Sequence, residues 1–380
     1  MKKHLMIAAL MVLAISILTP NSWAAEPIRI GSPVLLSGAG AHVGGGAKDT
    51  LEMMAADLNK AGGINGRPLE FIFYDEEAKP DVAVNLVKRL IQKDKVTAIV
   101  GISTSWTALP VLQIIENEEV PTIMLASAIQ IVDPVKKWVF KTPPDDRIVV
   151  GKLLSYIQSQ GIQRIAMTSA QDGFGDGGRT QLIAQSPNYG IKIVFDEKYT
   201  MEDTDITPTL NKIKKTDAQA VVNWSSNRAP IIFTMNYRQI GLELPLFQSH
   251  ATFSKEFLNA TGTNSEGTKL ASSKFFGAEN LPDSDLQKKI ILDYQAAFKS
   301  KYGKDANMFG GTAFDGFNIL VTALKKAGDD KGKLRDAIEQ TRDYAGVTGI
   351  YNYSPNDHGG LTKDSVSVYQ AVGGAWKFIQ

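Results

Sequence analysis

Short apolar runs alternate along the chain with segments whose apolar residues recur every three or four positions. Residues 28–31 read as a strand. Leu51, Met54, Ala55 and Leu58 repeat at helical spacing, with Asp49, Glu52, Asp57 and Lys60 on the opposite face. Gly62 and Gly63 stop that helix. Residues 69–74, rich in aromatic and branched side chains, predict a strand. Helices near 81–93 and 109–116 then alternate with strands at 97–100 and 122–125. The pattern restarts with strands at 164–168, 191–195 and 218–223 and with helices from about 175, at 206–214 and at 230–240. Late helices follow at 286–302, 312–327 and 334–340, and the end, 365–379, is strand-rich around Gly373-Gly374. Such alternation predicts crossover units and parallel sheets in two blocks. The proline-bearing stretch 141–146 reads as a linker between them. Two α/β units leave a cleft, and ligands of such sheets bind beyond the carboxyl ends of the strands. Four loops therefore carry the functional expectation: those after the first strand, after Val100, after Leu125 and after Thr168.

The chain has 380 residues, with 41 Lys+Arg against 40 Asp+Glu, no cysteine and four histidines. At roughly 150 residues per domain this length fits two domains. A net charge of +1 gives no electrostatic footprint for nucleic acid or an anionic membrane. The lack of cysteine excludes disulfides, thiolate chemistry, cysteine zinc sites and a lipidated amino-terminal cysteine. Lys2 and Lys3 precede an apolar run at 5–18, Pro20 and Asn21 break it, and Ser22-Trp23-Ala24 offers small residues for cleavage. Residues 1–24 therefore read as an export signal peptide. The run is shorter than the ~20 residues of a membrane span.

Several constellations have both a functional and a plain reading. Gly38-Ala39-Gly40-Ala41-His42-Val43-Gly44 follows a strand like a dinucleotide fingerprint with one residue too many, and Asp75 ends the next strand. A flexible turn is the better account, since NAD is not expected for an exported chain. Ser103-Thr104-Ser105 opens a helix, where hydroxyls cap and where the same geometry suits a carboxylate. Ala126-Ser127-Ala128 ends the next strand with small residues that flank the same space. The segment from Asp172 to Gly178 is acidic but lacks the spacing and distal Glu of a calcium loop. Within it, Phe174 is either a wall for a ligand or a core contact. Trp224 and Phe309 carry the same two readings. His250, beyond another strand end, is a candidate donor to a ligand anion. His358 sits in a polar turn and is expected to be exposed, and Glu76-Glu77 reads as a solvated surface pair. There is no Gly-x-Ser-x-Gly elbow and no His-Glu-x-x-His. Scattered histidines without cysteine disfavour a metal site. No catalytic set, metal or cofactor is expected.

The segments Val34-Leu35-Leu36-Ser37-Gly38, Gly62-Gly63-Ile64-Asn65-Gly66-Arg67-Pro68-Leu69, Tyr74-Asp75 and Asp81-Val82-Ala83-Val84, followed by Asp205-Ile206-Thr207-Pro208 and Tyr237-Arg238-Gln239-Ile240-Gly241-Leu242, resemble type I periplasmic solute-binding proteins. The branch is that of the leucine/isoleucine/valine-binding proteins of ABC transporters. The resemblance implies two Rossmann-like α/β lobes, with parallel sheets flanked by helices, joined by a three-crossing hinge. The crossings are expected near 141–145, 275–277 and 349–352. Lobe 1 would then hold residues 25–143 and 277–350, and lobe 2 residues 144–276 and 351–380. The family holds the ligand carboxylate at the start of the helix after the third strand, which here implies Ser105 with Thr104 beside it. The next loop supplies backbone groups, here Ala126, Ser127 and Ala128. A second-lobe aromatic covers the ligand, here Phe174 in place of the usual tyrosine.

Two positions depart from the amino-acid binders. Ala128 stands where a threonine commonly helps to hold the amino group, and His250 aligns with an acid that receives the ammonium. A buried ammonium without an anion is costly. The expected ligand is thus a small hydrophobic carboxylate, either an aliphatic amino acid or an amine-free aromatic acid. Trp224, Phe309 and His42 complete the candidate lining. The expected protein is a monomeric, non-enzymatic periplasmic binding component that delivers its ligand to inner-membrane ABC permease subunits, with no nucleic-acid partner. The alternatives are a sensory module feeding a receptor and a secreted enzyme.

Overall fold

The computed structural model describes residues 26–380 apart from Ala39 and Met201. The segment read as a signal peptide, residues 1–24, lies outside the described residues. The first block forms a parallel sheet of β1 (Ile28–Val34), β2 (Leu69–Asp75), β3 (Ala98–Gly101), β4 (Thr122–Met124) and β5 (Val139–Lys141), ordered β2-β1-β3-β4-β5. The second sheet holds β6 (Arg164–Ala170), β7 (Lys192–Tyr199), β8 (Ala220–Trp224), β9 (Leu246–Gln248) and β10 (Lys269–Ser273). After a small pair, β11 (Tyr344–Ala345) and β12 (Ile350–Tyr351), come β13 (Val366–Val372) and β14 (Ala375–Phe378). The second sheet runs β14-β13-β10-β9-β8-β6-β7, and its last two strands pair antiparallel. Strands β3 and β8 are buried along their whole length, as expected of parallel strands covered by helices on both faces. Among the described residues, no helix is long and apolar enough to cross a membrane.

The first helix, Ala41–Lys60, begins well before its periodic part and takes in the glycines read as a flexible turn. The reason is a close approach. A Cβ on Gly44 would lie 2.1 Å from the Leu35 carbonyl oxygen, so only glycine lets the helix start against the end of β1. Asn307 caps the helix Met308–Ala327 by accepting from the Gly310 N–H, and it donates to the His42 carbonyl at 2.9 Å. That contact ties the glycine loop to the long helix.

The chain leaves the first sheet after β5 and leaves the second sheet after β10. The third expected crossing lies later than the sequence suggested. Tyr351, Tyr353 and Leu361 pack into the first-lobe core with Val34, Ile123 and Phe140. Tyr353 donates its hydroxyl to the Lys141 carbonyl at 2.9 Å, and Tyr351 to that of Thr142 at 2.7 Å. His358, expected in solvent, is fully buried; it stacks on Phe140 at 4.1 Å and places Nδ1 2.8 Å from the Val139 carbonyl oxygen. Residues 351–361 therefore pack with the first lobe rather than the second, and the chain crosses after Leu361 instead of at 349–352. The polar turn that suggested a surface loop is folded over the edge of β5.

Candidate functional site

The strands' carboxyl ends face each other across a cleft of about 340 Å³, within the range of small-molecule sites. The first lobe contributes three successive loops. After β1 come Gly38, Ala41 and His42; after β3 come Ser103, Thr104 and Ser105; after β4 come Leu125 and Ser127. The second lobe supplies Phe174 beyond β6, Ser226, Asn227 and Pro230 beyond β8, and His250 and Thr252 beyond β9. Pro143 of the first crossing and Met308, Phe309 and Thr312 of the long helix also line the space.

The hydroxyl wall is held in place from behind. Ser105 Oγ accepts the Ala128 N–H at 3.1 Å, which leaves its single proton available to a ligand oxygen. Ser103 Oγ accepts the Leu35 N–H at 2.9 Å and donates to Glu76 Oε1 at 2.8 Å. Glu76 is thus not a solvated surface residue. It is fully buried, and burial pushes its carboxyl up to about 7 against the hydroxyl and N–H bonds that hold it down. The pattern Glu76-Glu77 hid this because its two members face opposite ways, Glu77 being exposed and paired with Lys79 at 2.7 Å.

The opposite wall is aromatic. Asp172 caps the helix Gly173–Gln185 by accepting the Gly175 N–H at 2.6 Å, which accounts for the acidic loop without a cation. The cap aims Phe174 at the cleft. Its ring stacks on Trp224 at 5.9 Å and meets the edge of His250 at 5.2 Å. A Cβ on Gly178 would lie 2.2 Å from the Trp224 indole, so this helix start rests directly on the tryptophan. His250 is 1% exposed, and neither ring nitrogen has a hydrogen-bond partner. Burial first, and the nearby Lys141 ammonium second, lower its pKa to about 3. The ring is therefore neutral and presents one N–H donor and one acceptor. At the end of β5 and the start of the helix that follows, Lys141 and Asp146 are both fully buried, and burial moves each toward its uncharged form.

Of the residues singled out in the sequence, Thr104, Ser105, Ser127, Phe174, His250, Phe309 and His42 line this cleft. Ala126, Ala128 and Trp224 do not. Ala126 and Ala128 are buried in the core beneath the wall, Ala128 acting through the N–H that orients Ser105. Trp224 is fully buried and backs Phe174. Sequence reasoning missed the Ser226–Ile231 segment and Glu256. The rule that drew attention to the other strand ends applies equally to β8, and would have found the first. Glu256, exposed at the mouth, is the one Asp, Glu, Lys or Arg among the described lining residues. It lies within a helix, where no strand-end rule points.

Two parallel-stranded lobes with a mostly apolar cleft between their strand ends have the architecture of a hinged small-molecule-binding protein. The family model for periplasmic binding proteins matches residues 27–375. The chain belongs to that family, as a type I member of its leucine/isoleucine/valine-binding-protein branch. It is 26% identical over 363 residues to the leucine-, isoleucine-, valine-, threonine- and alanine-binding protein of Pseudomonas aeruginosa, covering 94% of this chain and 93% of that one. An extracellular ligand-binding receptor from Rhodopseudomonas palustris superposes with a TM-score of 0.87 at 25% identity, over 93% of this chain and 99% of that one. A leucine-binding protein from Thermotoga maritima shares the fold, with a TM-score of 0.84 at 20% identity, over 93% of this chain and 98% of that one. Members of this family are solute-binding proteins, not enzymes.

Proposed function

We propose that this protein is the exported, periplasmic substrate-binding component of a branched-chain-amino-acid-type ABC transporter, and that it takes a small, mostly apolar, amine-free carboxylate and delivers it to a permease. Ser105 and neighbouring hydroxyls of the first wall receive the carboxylate. Phe174 and Phe309 cover the apolar body. Contacts to both lobes favour the closed form, which the permease recognises. The observation that carries the ligand class is His250, a buried neutral imidazole where an ammonium would need an anion. The amino-acid reading has its own support in Glu256, which supplies a carboxylate at the mouth, and in the name of the Pseudomonas relative.

A thermal-shift screen of the protein, freed of bound ligand by unfolding and refolding, decides between them. The panel holds the twenty amino acids, benzoates, phenylpropanoids and short keto acids. A ligand raises the melting temperature only by binding the folded state in preference to the unfolded one. Shifts from amine-free acids alone are expected. A shift from leucine, isoleucine or valine alone would reject the amine-free cargo and make Glu256 the ammonium's partner, and no shift from any compound would reject the carboxylate reading.

A further inference from the structure

Behind the hydroxyl wall, Glu76 is a buried carboxyl that the binding scheme above leaves without a task. Ser103 donates to its Oε1 at 2.8 Å while accepting the Leu35 N–H at 2.9 Å. Oε1 is thereby held as an acceptor, so a proton on this carboxyl belongs on Oε2. Oε2 lies 2.9 Å from Thr107 Oγ1, and Thr107 Oγ1 lies 2.8 Å from Thr104 Oγ1. Thr104 lines the cleft. A line of hydrogen bonds thus runs from the buried carboxyl to the ligand space.

Each hydroxyl has one proton to give. With Glu76 ionised, Thr107 gives its proton to the carboxylate, because a charge-assisted bond is about twice as strong as a neutral one. Thr104 then donates to Thr107 and turns lone pairs to the cleft. With Glu76 neutral, Oε2–H donates to Thr107. The Thr107 proton swings to Thr104 Oγ1, or to the Thr104 carbonyl at 3.1 Å. In either case Thr104 keeps its own proton for the ligand.

We propose that Glu76 is a positioning residue that decides, through Thr107, whether Thr104 meets the ligand as donor or acceptor, so that binding a carboxylate at this wall is coupled to proton uptake. The inference rests on the carboxylate reading of the cleft given above. Burial supplies the means, since it brings this carboxyl into the neutral range, to about 7. Charged groups on the surrounding elements are directed elsewhere. Asp75 accepts the Leu36 and Glu77 N–H groups. Glu77 and Lys79 pair with each other at 2.7 Å, and Asp81, Lys88 and Arg89 of the packed helix Pro80–Gln92 are exposed. The segments 34–37 and 103–107 carry no charged side chain.

The test is calorimetric titration of benzoate, 3-phenylpropanoate and leucine between pH 6 and 9, in buffers of different ionisation enthalpy, with wild type, Glu76→Gln and Thr104→Val. In wild type, carboxylate affinity should fall above neutrality by up to about tenfold per pH unit, with net proton uptake on binding. Glu76→Gln keeps an acceptor for Ser103 and a donor for Thr107. It should bind at the wild-type low-pH affinity, with a flat profile and no proton uptake, whereas a merely structural role predicts weaker binding at every pH. Thr104→Val should flatten the profile at lower affinity. A flat wild-type profile, or a Glu76→Gln profile as steep as wild type, overturns the proposal. Carbon-13 NMR of the Glu76 carboxyl in the ligand-free protein supplies a reading that needs no ligand. Titration near neutrality supports the coupling, and titration in the ordinary carboxylate range overturns it. Failure of all three acids to bind would count against the carboxylate reading of the cleft, with the NMR titration still deciding the state of Glu76.

Discussion

On the first-lobe side of the cleft, Ser103, Thr104 and Ser105 are tied to Glu76, Thr107, Leu35 and Ala128 before any ligand arrives. On the second-lobe side, His250 is buried with both nitrogens unpartnered between Phe174 and Trp224. A buried polar group without a partner costs about 1–3 kcal/mol. The first wall is therefore preorganised, so a ligand loses little in ordering it. The second wall carries a deficit that a suitable ligand group relieves. In the proposed binding scheme the first wall anchors and the second discriminates, because a site left with unpaired polar groups rejects ligands that cannot satisfy them.

The largest effect should come from reversing the second wall. His250→Asp would set a carboxylate against the ligand's own, and an uncompensated buried charge costs on the order of 3–5 kcal/mol. Affinity for amine-free acids should fall accordingly, and leucine should bind better than it does to wild type. Calorimetry with benzoate and leucine on the folded variant measures both. Unchanged benzoate affinity would remove His250 from ligand discrimination. A smaller effect is expected at the first wall. Ser105→Ala should weaken carboxylate binding by about 1.5–3 kcal/mol, the range for hydrogen bonds to charged groups. It also leaves the Ala128 N–H without its partner, so the melting temperature of the ligand-free variant must be read alongside. A loss of stability with no loss of affinity would make Ser105 a support for Ala128 alone. Phe174→Leu keeps an apolar side chain at the same place and should cost less again, about 1 kcal/mol of affinity, through lost area and the lost ring contact with Trp224.

How much of this contrast could be read in the sequence depends on the kind of signal. The parallel lobes were legible because strand and helix periods alternate at a pitch that only crossovers satisfy. Phe174 and His250 were legible as residues beyond strand ends. The backing of the first wall was not. Glu76 meets Ser103 and Thr107 only because β2 and β3 flank β1, and a charged pair in sequence looks solvated until its neighbours are placed. The same holds at the hinge. Residues 351–361 look like a polar loop, yet Tyr351, Tyr353 and His358 are buried against β5 and the first crossing. Local pattern reports local structure. Burial of a charged or polar residue is a long-range fact, visible only once its partners are brought to it.

The remaining effect separates the walls by acidity, without a ligand. The folded-state pKa of His250 is about 3, against an ordinary 6.5. Between these values the unfolded chain binds a proton that the folded chain does not. His250 therefore contributes stability that is complete above about pH 6.5 and is lost as pH falls toward 3, by up to about 1.4 kcal/mol per pH unit. Glu76 has the opposite sign. Its carboxyl is raised from 4.5 to about 7, so its burial is least costly at low pH and destabilises progressively as pH rises through that window. Asp146 and Asp315, raised to about 8 and about 6, act in the same direction as Glu76. Wild type alone would show the sum of these slopes, in which the three carboxyls outweigh the histidine. The difference between wild type and His250→Gln isolates the histidine, since the carboxyls are common to both proteins. Followed by chemical denaturation from pH 7 to pH 4, wild type should lose stability relative to the variant, with the gap changing steadily below pH 6.5. A gap that stays constant with pH would mean that His250 can be protonated in the folded protein. It would then be a charged group within reach of a ligand anion, and the second wall would anchor as well as discriminate.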